Sequence, residues 1–277
     1  KHLVAMYTTT HLTPDEIHKL GIREVIRIHM EMKELIKKVG WKKSFKAFLK
    51  HLKTHPQFYP ESEKDLLTRV KATMRQMDQK LPSLFKVLPK TPYIIEAMPS
   101  SIAAKAPTAL YNTPSADGTR PGVYWVNTHN LKMRPIYEIE ALSFHESVPG
   151  HHLQLALQIE ANNQPDFFKT HYFHAFGEGW GLYAEALGKE VGFYKNPYSE
   201  FGLLSYEMWR ALRLVVDTGL HSKGWSRQKA IQFMKNYSAL SDANVVAEVD
   251  RYITIPGQAT AYKLSLIHIS EPTRPLD

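Results

Sequence analysis

The chain has 277 residues, 43% hydrophobic and 22% charged, with 35 Lys and Arg against 27 Asp and Glu for a net charge of +8. That is enough apolar material for one large core or two small ones, which excludes an intrinsically disordered protein, and no run of about 18 apolar residues marks a membrane span. The basic residues are interleaved with apolar ones, as in Glu34–Lys38 and Trp41–Lys46, so they read as solvated helix faces rather than a nucleic-acid surface.

Cysteine is absent. Disulfides, thiolate ligands and a cysteine nucleophile are excluded, and any metal must be held by imidazole and carboxylate. No Rossmann fingerprint, Walker loop or RNP-like strand is present.

In chain order, Thr13-Pro14-Asp15-Glu16 is a capping box with proline in the first turn, predicting a helix over Ile17–Val39 that stops at Gly40. Helical stretches follow at Lys43–Thr54 and Ser62–Lys80, the second ending ahead of Leu81-Pro82. Residues 83–135 are rich in proline and hold two β-prone pieces, Tyr93–Ala97 and Gly122–Asn127, the latter entered through the turn Gly118–Gly122. Helical patterns resume over Tyr137–Asn162, Gln164–Val191, Glu200–Ser222 and Ser226–Ser238, and near Ala243–Ile253.

The expected fold is therefore mainly α, with a small β-sheet ahead of a histidine-rich motif. It divides into an N-terminal helical region, 1–82, and a second region, 83–263, that carries the motif. Residues 264–277, LSLIHISEPTRPLD, lack a helical period and read as a non-native tail. With Lys at position 1, the chain reads as an internal piece of a longer protein.

The motif is FHESVPGHHLQ, residues 144–154. In H-E-x-x-H the histidines at i and i+4 lie about 40° apart around a helix and about 6 Å along it, so both rings reach one zinc at about 2.0–2.1 Å per nitrogen. Here His151 is i+6 from His145 and points about 120° away on an unbroken helix. His152, at i+7, returns to the same face but about 10.5 Å further along. Neither geometry makes a site, so the chemistry requires a break. Pro149-Gly150 supplies one: proline lacks the ladder N–H, and glycine tolerates unusual backbone angles. A bulge there restores an i+4-like relation and favours His151 over His152 as second ligand.

The third ligand falls in EGWGLYAE, residues 178–185, on the next helical segment. Glu178 fits, with flanking glycines that permit close approach, and Glu185 fits a supporting position. With 14 histidines in the chain a bare His-Glu pair carries little weight. His-Glu, a Pro-Gly break, Gly-His and a later Glu-Gly-Trp together form a joint pattern.

At these residues the sequence resembles the bacterial domain-of-unknown-function 885 family (DUF885), a branch of the zinc-peptidase superfamily. The resemblance extends to Thr13–Gly21, Asp117–Gly122, Arg210–His221 and Arg251–Ala259, and runs from about residue 8 to Lys263. It implies a largely helical, gluzincin-like metallopeptidase fold with bound Zn²⁺, and a peptide as the substrate class. It also implies an exported or periplasmic location.

The expected mechanism is that of a zinc metallopeptidase. His145, His151 and Glu178 hold the metal, Glu146 is the general base, and an oxyanion donor comes from Tyr262 or Arg251, which flank the Pro256-Gly257 turn. His221, at i+4 from Asp217, is a further candidate donor, while Arg210 and Arg213 on the same helix read as an ion-pair network. Val123–Asn127 admits two readings: an edge strand on which a peptide pairs, with Asn127 binding substrate, or a strand packed on the motif helix. A non-catalytic binding or scaffold protein with a structural zinc remains the alternative function. An intact Glu146 weighs against it, because a structural site has no use for a base beside its ligand.

Overall fold

The computed structural model describes residues 2–161 and 164–270. In chain order the helices are α1 (His2–Thr8), α2 (Pro14–Lys38), α3 (Phe45–Thr54), α4 (Glu63–Leu84), α5 (Ser100–Ala103), α6 (Ile139–Glu146), α7 (His151–Glu160), α8 (Asp166–Thr170), α9 (His174–Glu190), α10 (Pro197–Ser222), α11 (Arg227–Tyr237), α12 (Asp242–Thr254) and α13 (Ala261–Ser270). The strands are β1 (Tyr93–Ala97), β2 (Ala109–Asn112) and β3 (Gly122–Val126). The architecture is mainly α with one small sheet, and among the described residues no helix is long and apolar enough to cross a membrane.

Two compact units emerge, residues 1–56, 173–179 and 196–277, and residues 57–172 and 180–195. Helix α9 is continuous through residues of both. Helix α4, grouped by sequence with the N-terminal helices, belongs to the second unit.

The first unit is built on α2 and α10. The capping box forms as the sequence predicts: Glu16 N–H donates to Thr13 Oγ1 (3.3 Å), and Thr13 N–H donates to Glu16 Oε2 (2.7 Å). Gly21 lets the two helices meet, since a Cβ there would stand 2.7 Å from Leu214 Cβ and 2.9 Å from Val215 Cγ2. Val4, Ile17, Leu20, Leu214 and Leu264 pack into one apolar cluster. Lys263, almost fully buried, pairs with Glu24 (2.9 Å) and Glu207 (2.7 Å) and so ties α13 to α2 and α10. The segment read as a tail from residue 264 thus continues α13 to Ser270 and buries Leu264 completely. Its remainder, 271–277, lies outside the described residues.

In the second unit the strands run in the order β1-β3-β2, with β1 parallel and β2 antiparallel to β3. The edge-strand reading of Val123–Asn127 is therefore corrected: β3 is the centre of the sheet. β2, short and set between Pro107 and Pro114, escaped the periodicity. The sheet lies against α6, where the buried Tyr124 hydroxyl is 3.1 Å from Ser143 Oγ. Helix α4 runs past Pro82 to Leu84. Proline in the last turn of a helix removes one hydrogen bond, without ending it two residues early.

Candidate metal centre

The single helix expected over Tyr137–Asn162 is two helices, α6 and α7, separated by Ser147–Gly150 (Asn162 lies outside the described residues). The break is more abrupt than the expected bulge. Ser147 leaves helical space at φ −112°, ψ −114°, Val148–Pro149 is a cis peptide, and Gly150 has φ −78°, ψ −127°. Gly150 is needed for room rather than for a positive φ, because a Cβ there would collide with the carbonyl oxygens of Phe144 and His145. His152 N–H donates to Ser147 C=O at 2.9 Å across the break. Trp180 of α9 clamps it, its Nε1–H donating to Pro149 C=O at 2.8 Å.

This backbone brings the His145 and His151 rings to a centroid separation of 4.7 Å, edge to face. Glu178, in the first turns of α9, completes the set: one donor atom from each of His145, His151 and Glu178 lies within 4.8 Å of the others, and all three residues are buried. Glu178, Gly181 and Glu185 fall at i, i+3 and i+7 and share one helix face. Gly181 is the point of closest approach, where a Cβ would stand 2.5–2.9 Å from three atoms of the His145 ring. Glu185, 1% exposed, takes His145 Nδ1 at 2.8 Å. An ionised carboxylate only accepts, so Nδ1 carries the proton and Nε2 keeps its lone pair. Tyr194 holds α9 in turn, its hydroxyl donating to the Glu185 C=O at 2.8 Å.

The donor set fits a zinc-type cation. Ligand atoms at about 2.1 Å in a tetrahedron would stand about 3.4 Å apart, and here the three donor atoms lie within 4.8 Å of one another. Two imidazoles and a carboxylate are the donors this cysteine-free chain can offer, and His145 already has the carboxylate partner a ligating histidine requires.

His152 turns away from this group. Its Nδ1 is 2.8 Å from Tyr111 Oη, it packs 4.8 Å from the Tyr93 ring, and burial pushes its pKa down to about 4. Gly122 makes room for that pair, since a Cβ would strike the Tyr111 hydroxyl. Glu146 closes α6 half-buried beside His145. Burial and then the Glu146 carboxylate push the Tyr124 phenol up.

Tyr262 is brought to Glu178: burial, then the Glu178 charge, raises the phenol pKa. Arg251 is nearby but engaged, donating to Gln258 Oε1 (2.9 Å) and Glu248 Oε2 (3.0 Å). His221 and Asn127 are not brought to the group. His221 donates from Nε2 to Tyr252 C=O at 2.9 Å, bracing α10 against α12, while both Asp217 oxygens accept from Gly257 N–H (3.2 and 3.0 Å). Asn127 is fully buried; its Nδ2 donates to the carbonyls of Ala103 and Pro107 (both 2.8 Å), and its Oδ1 accepts from His129 N–H. That corrects the substrate-binding reading, because its hydrogen-bonding capacity is used within the loop it organises. Arg213 is a network residue as expected, stacked 4.2 Å from Tyr262 and donating to Glu248. The sequence reading gave no role of their own to Trp180, Gly181 and Gln258. The i, i+3, i+7 spacing on α9 was the signal available for Gly181.

A mainly helical chain with a buried His-His-Glu group is the class these observations define. Over residues 1–272 it matches the family described as "Bacterial protein of unknown function (DUF885)", and it belongs to that family. Its fold is similar to the crystal structure of a "putative lipoprotein" from Colwellia psychrerythraea, at 34% identity and TM-score 0.94, covering 97% of this chain and 47% of that one. A "putative lipoprotein of unknown function" from Shewanella oneidensis shares the fold at 18% identity and TM-score 0.79, with 97% and 51% covered. The chain thus spans about half the length of each. No functionally curated protein is similar to it.

Proposed function

We propose that this chain carries the catalytic centre of a zinc-dependent peptidase with a gluzincin-like fold. The observation that carries the reading is the convergence of His145, His151 and Glu178 within 4.8 Å, with Glu146 adjoining the first ligand. Three protein donors would hold the ion and leave it open for chemistry, whereas a structural site is closed by four. When bound, zinc supplies Lewis acidity to a carbonyl and to a water at neutral pH.

The chain's own groups do the rest. Glu146 takes a proton from the attacking water and returns it to the leaving amine as the C–N bond breaks. Tyr262, its pKa raised so that it stays protonated, donates to the developing oxyanion. Glu185 holds the His145 ring in one tautomer. The names of the two structural relatives support an exported or membrane-anchored location.

The test is Glu146→Gln, assayed for zinc by elemental analysis and for hydrolysis of a quenched peptide library. Both proteins should hold near one zinc per chain, and the variant should lose on the order of 10²–10⁴ in rate. Undiminished hydrolysis would remove Glu146 from the mechanism. Zinc without hydrolysis in the wild type would favour a structural site.

A further inference from the structure

The unit that carries Glu178 also gathers more hydrogen-bond donors than its own carboxylates engage. Arg213 (3% exposed) and Arg251 both converge on Glu248, each donating to Oε2, at 3.1 and 3.0 Å, and Arg251 Nε reaches Oε1 at 3.3 Å. Against burial, the two guanidiniums hold that carboxyl down at about 2, so it is ionised and shared. Arg213 Nη1 is left with no hydrogen-bond partner among the described residues, and the Arg251 side chain remains 31% exposed. Gln258 turns its Oε1 to Arg251 Nη1 at 2.9 Å, and its amide group reaches the Tyr262 phenol. The ring of Tyr262 forms the floor under Arg213, at 4.2 Å. The Tyr262 phenol also feels the charge of Glu178.

A guanidinium fork and a primary amide on an aromatic floor match the planar, two-oxygen shape of a carboxylate. Tyr262 is common to the cluster and the candidate ligand, its ring under Arg213 and its phenol in the field of the Glu178 carboxylate. Building on the peptidase reading above, we propose that Arg251 and Gln258, backed by Arg213, bind the free α-carboxylate of a peptide, so that the bonds cleaved lie at its C-terminus. Arg251 is then a specificity residue rather than an oxyanion donor.

The test uses the full chain with Glu146→Gln, which binds without turnover. Isothermal titration compares an acetylated tripeptide as free acid, the same peptide as C-terminal amide, and an amide carrying an Asp side chain. The free acid should bind at least about tenfold tighter than either amide, and Arg251→Met should abolish the difference. If that variant is unfolded by circular dichroism, Gln258→Met or Arg251→Lys is read instead, each narrowing the preference.

Equal affinity for acid and amide overturns the proposal, as does failure of all three to bind. Tight binding of the Asp-containing amide overturns it in favour of a side-chain carboxylate. The underlying reading fails separately. Hydrolysis of acid and amide peptides at equal rates by the wild type keeps the peptidase and removes the carboxylate subsite. A free-acid preference in binding with no hydrolysis keeps the subsite and removes the peptidase.

Discussion

Glu185→Gln separates a metal-supporting carboxylate from a merely structural one. The wild-type pair is short, 2.8 Å, and both side chains are almost fully buried, at 4% and 2% exposed. The Gln oxygen can still accept from His145 Nδ1–H, so the ring keeps its place while the charge is lost and the second oxygen becomes an NH2. Outer carboxylates of this kind are worth 10–100-fold in metal affinity, about 1.4–2.7 kcal/mol. Burial this deep leaves little solvent screening, which places the expected loss toward the upper end. Folding should respond differently. Replacing a buried carboxylate by a neutral amide of the same shape removes a desolvation penalty, so the metal-free variant should be no less stable than wild type. Zinc affinity is read by competition with a chromophoric chelator, and stability by thermal unfolding of the metal-free proteins. An affinity within about twofold of wild type would show that His145 is not a ligand supported through Nδ1. A large loss of metal-free stability would make the pair structural.

Gly181→Ala would press a Cβ against the His145 ring, at 2.5–2.9 Å from three of its atoms, and should lower zinc affinity at least tenfold with helical content retained; unchanged binding would mean that α9 moves away freely. For Asp217, burial raises the carboxyl to about 6, above its unfolded value near 3.9, so the folded chain holds a proton that the unfolded chain releases between these pH values. That stability is fully present below pH ~3.9 and is lost as pH rises to about 6, by at most ~1.4 kcal/mol per pH unit. Asp217→Asn should flatten denaturant stability across that window, and an unchanged pH profile would assign the slope elsewhere. Leu264→Ala removes a fully buried side chain of the α1–α2–α10 cluster and should cost about 2–5 kcal/mol in urea unfolding; no loss would show that Leu264 does not support that cluster.

Much of this protein is legible in its sequence, because local rules were enough. Thr13 and Glu16 predict a cap that depends on four consecutive residues, and α2, α10, α11 and α12 fall where their periodicity places them. The grouping of His145, His151 and Glu178 was also readable. The i+6 spacing of His145 and His151 is useless on a continuous helix, so a break was required at the one Pro-Gly step between them. Glu178 and Glu185 carried a helical spacing that placed both on one face. What the sequence left open concerned groups distant in the chain. His152 and His151 are neighbours with the same chemistry, and Tyr111, Tyr93 and the room left by Gly122 decide that His152 faces the sheet. β3 admitted an edge reading because β2, four residues between prolines, has too little pattern to announce that it covers that edge. Asn127 looked available until the carbonyls of Ala103 and Pro107 engaged its amide. Gly150 looked like a conformational glycine and Gly181 carried no reading, yet both are required by space beside Phe144 and His145. Hydrogen-bond satisfaction and steric room belong to the folded neighbourhood, and only the tertiary structure brings that neighbourhood together.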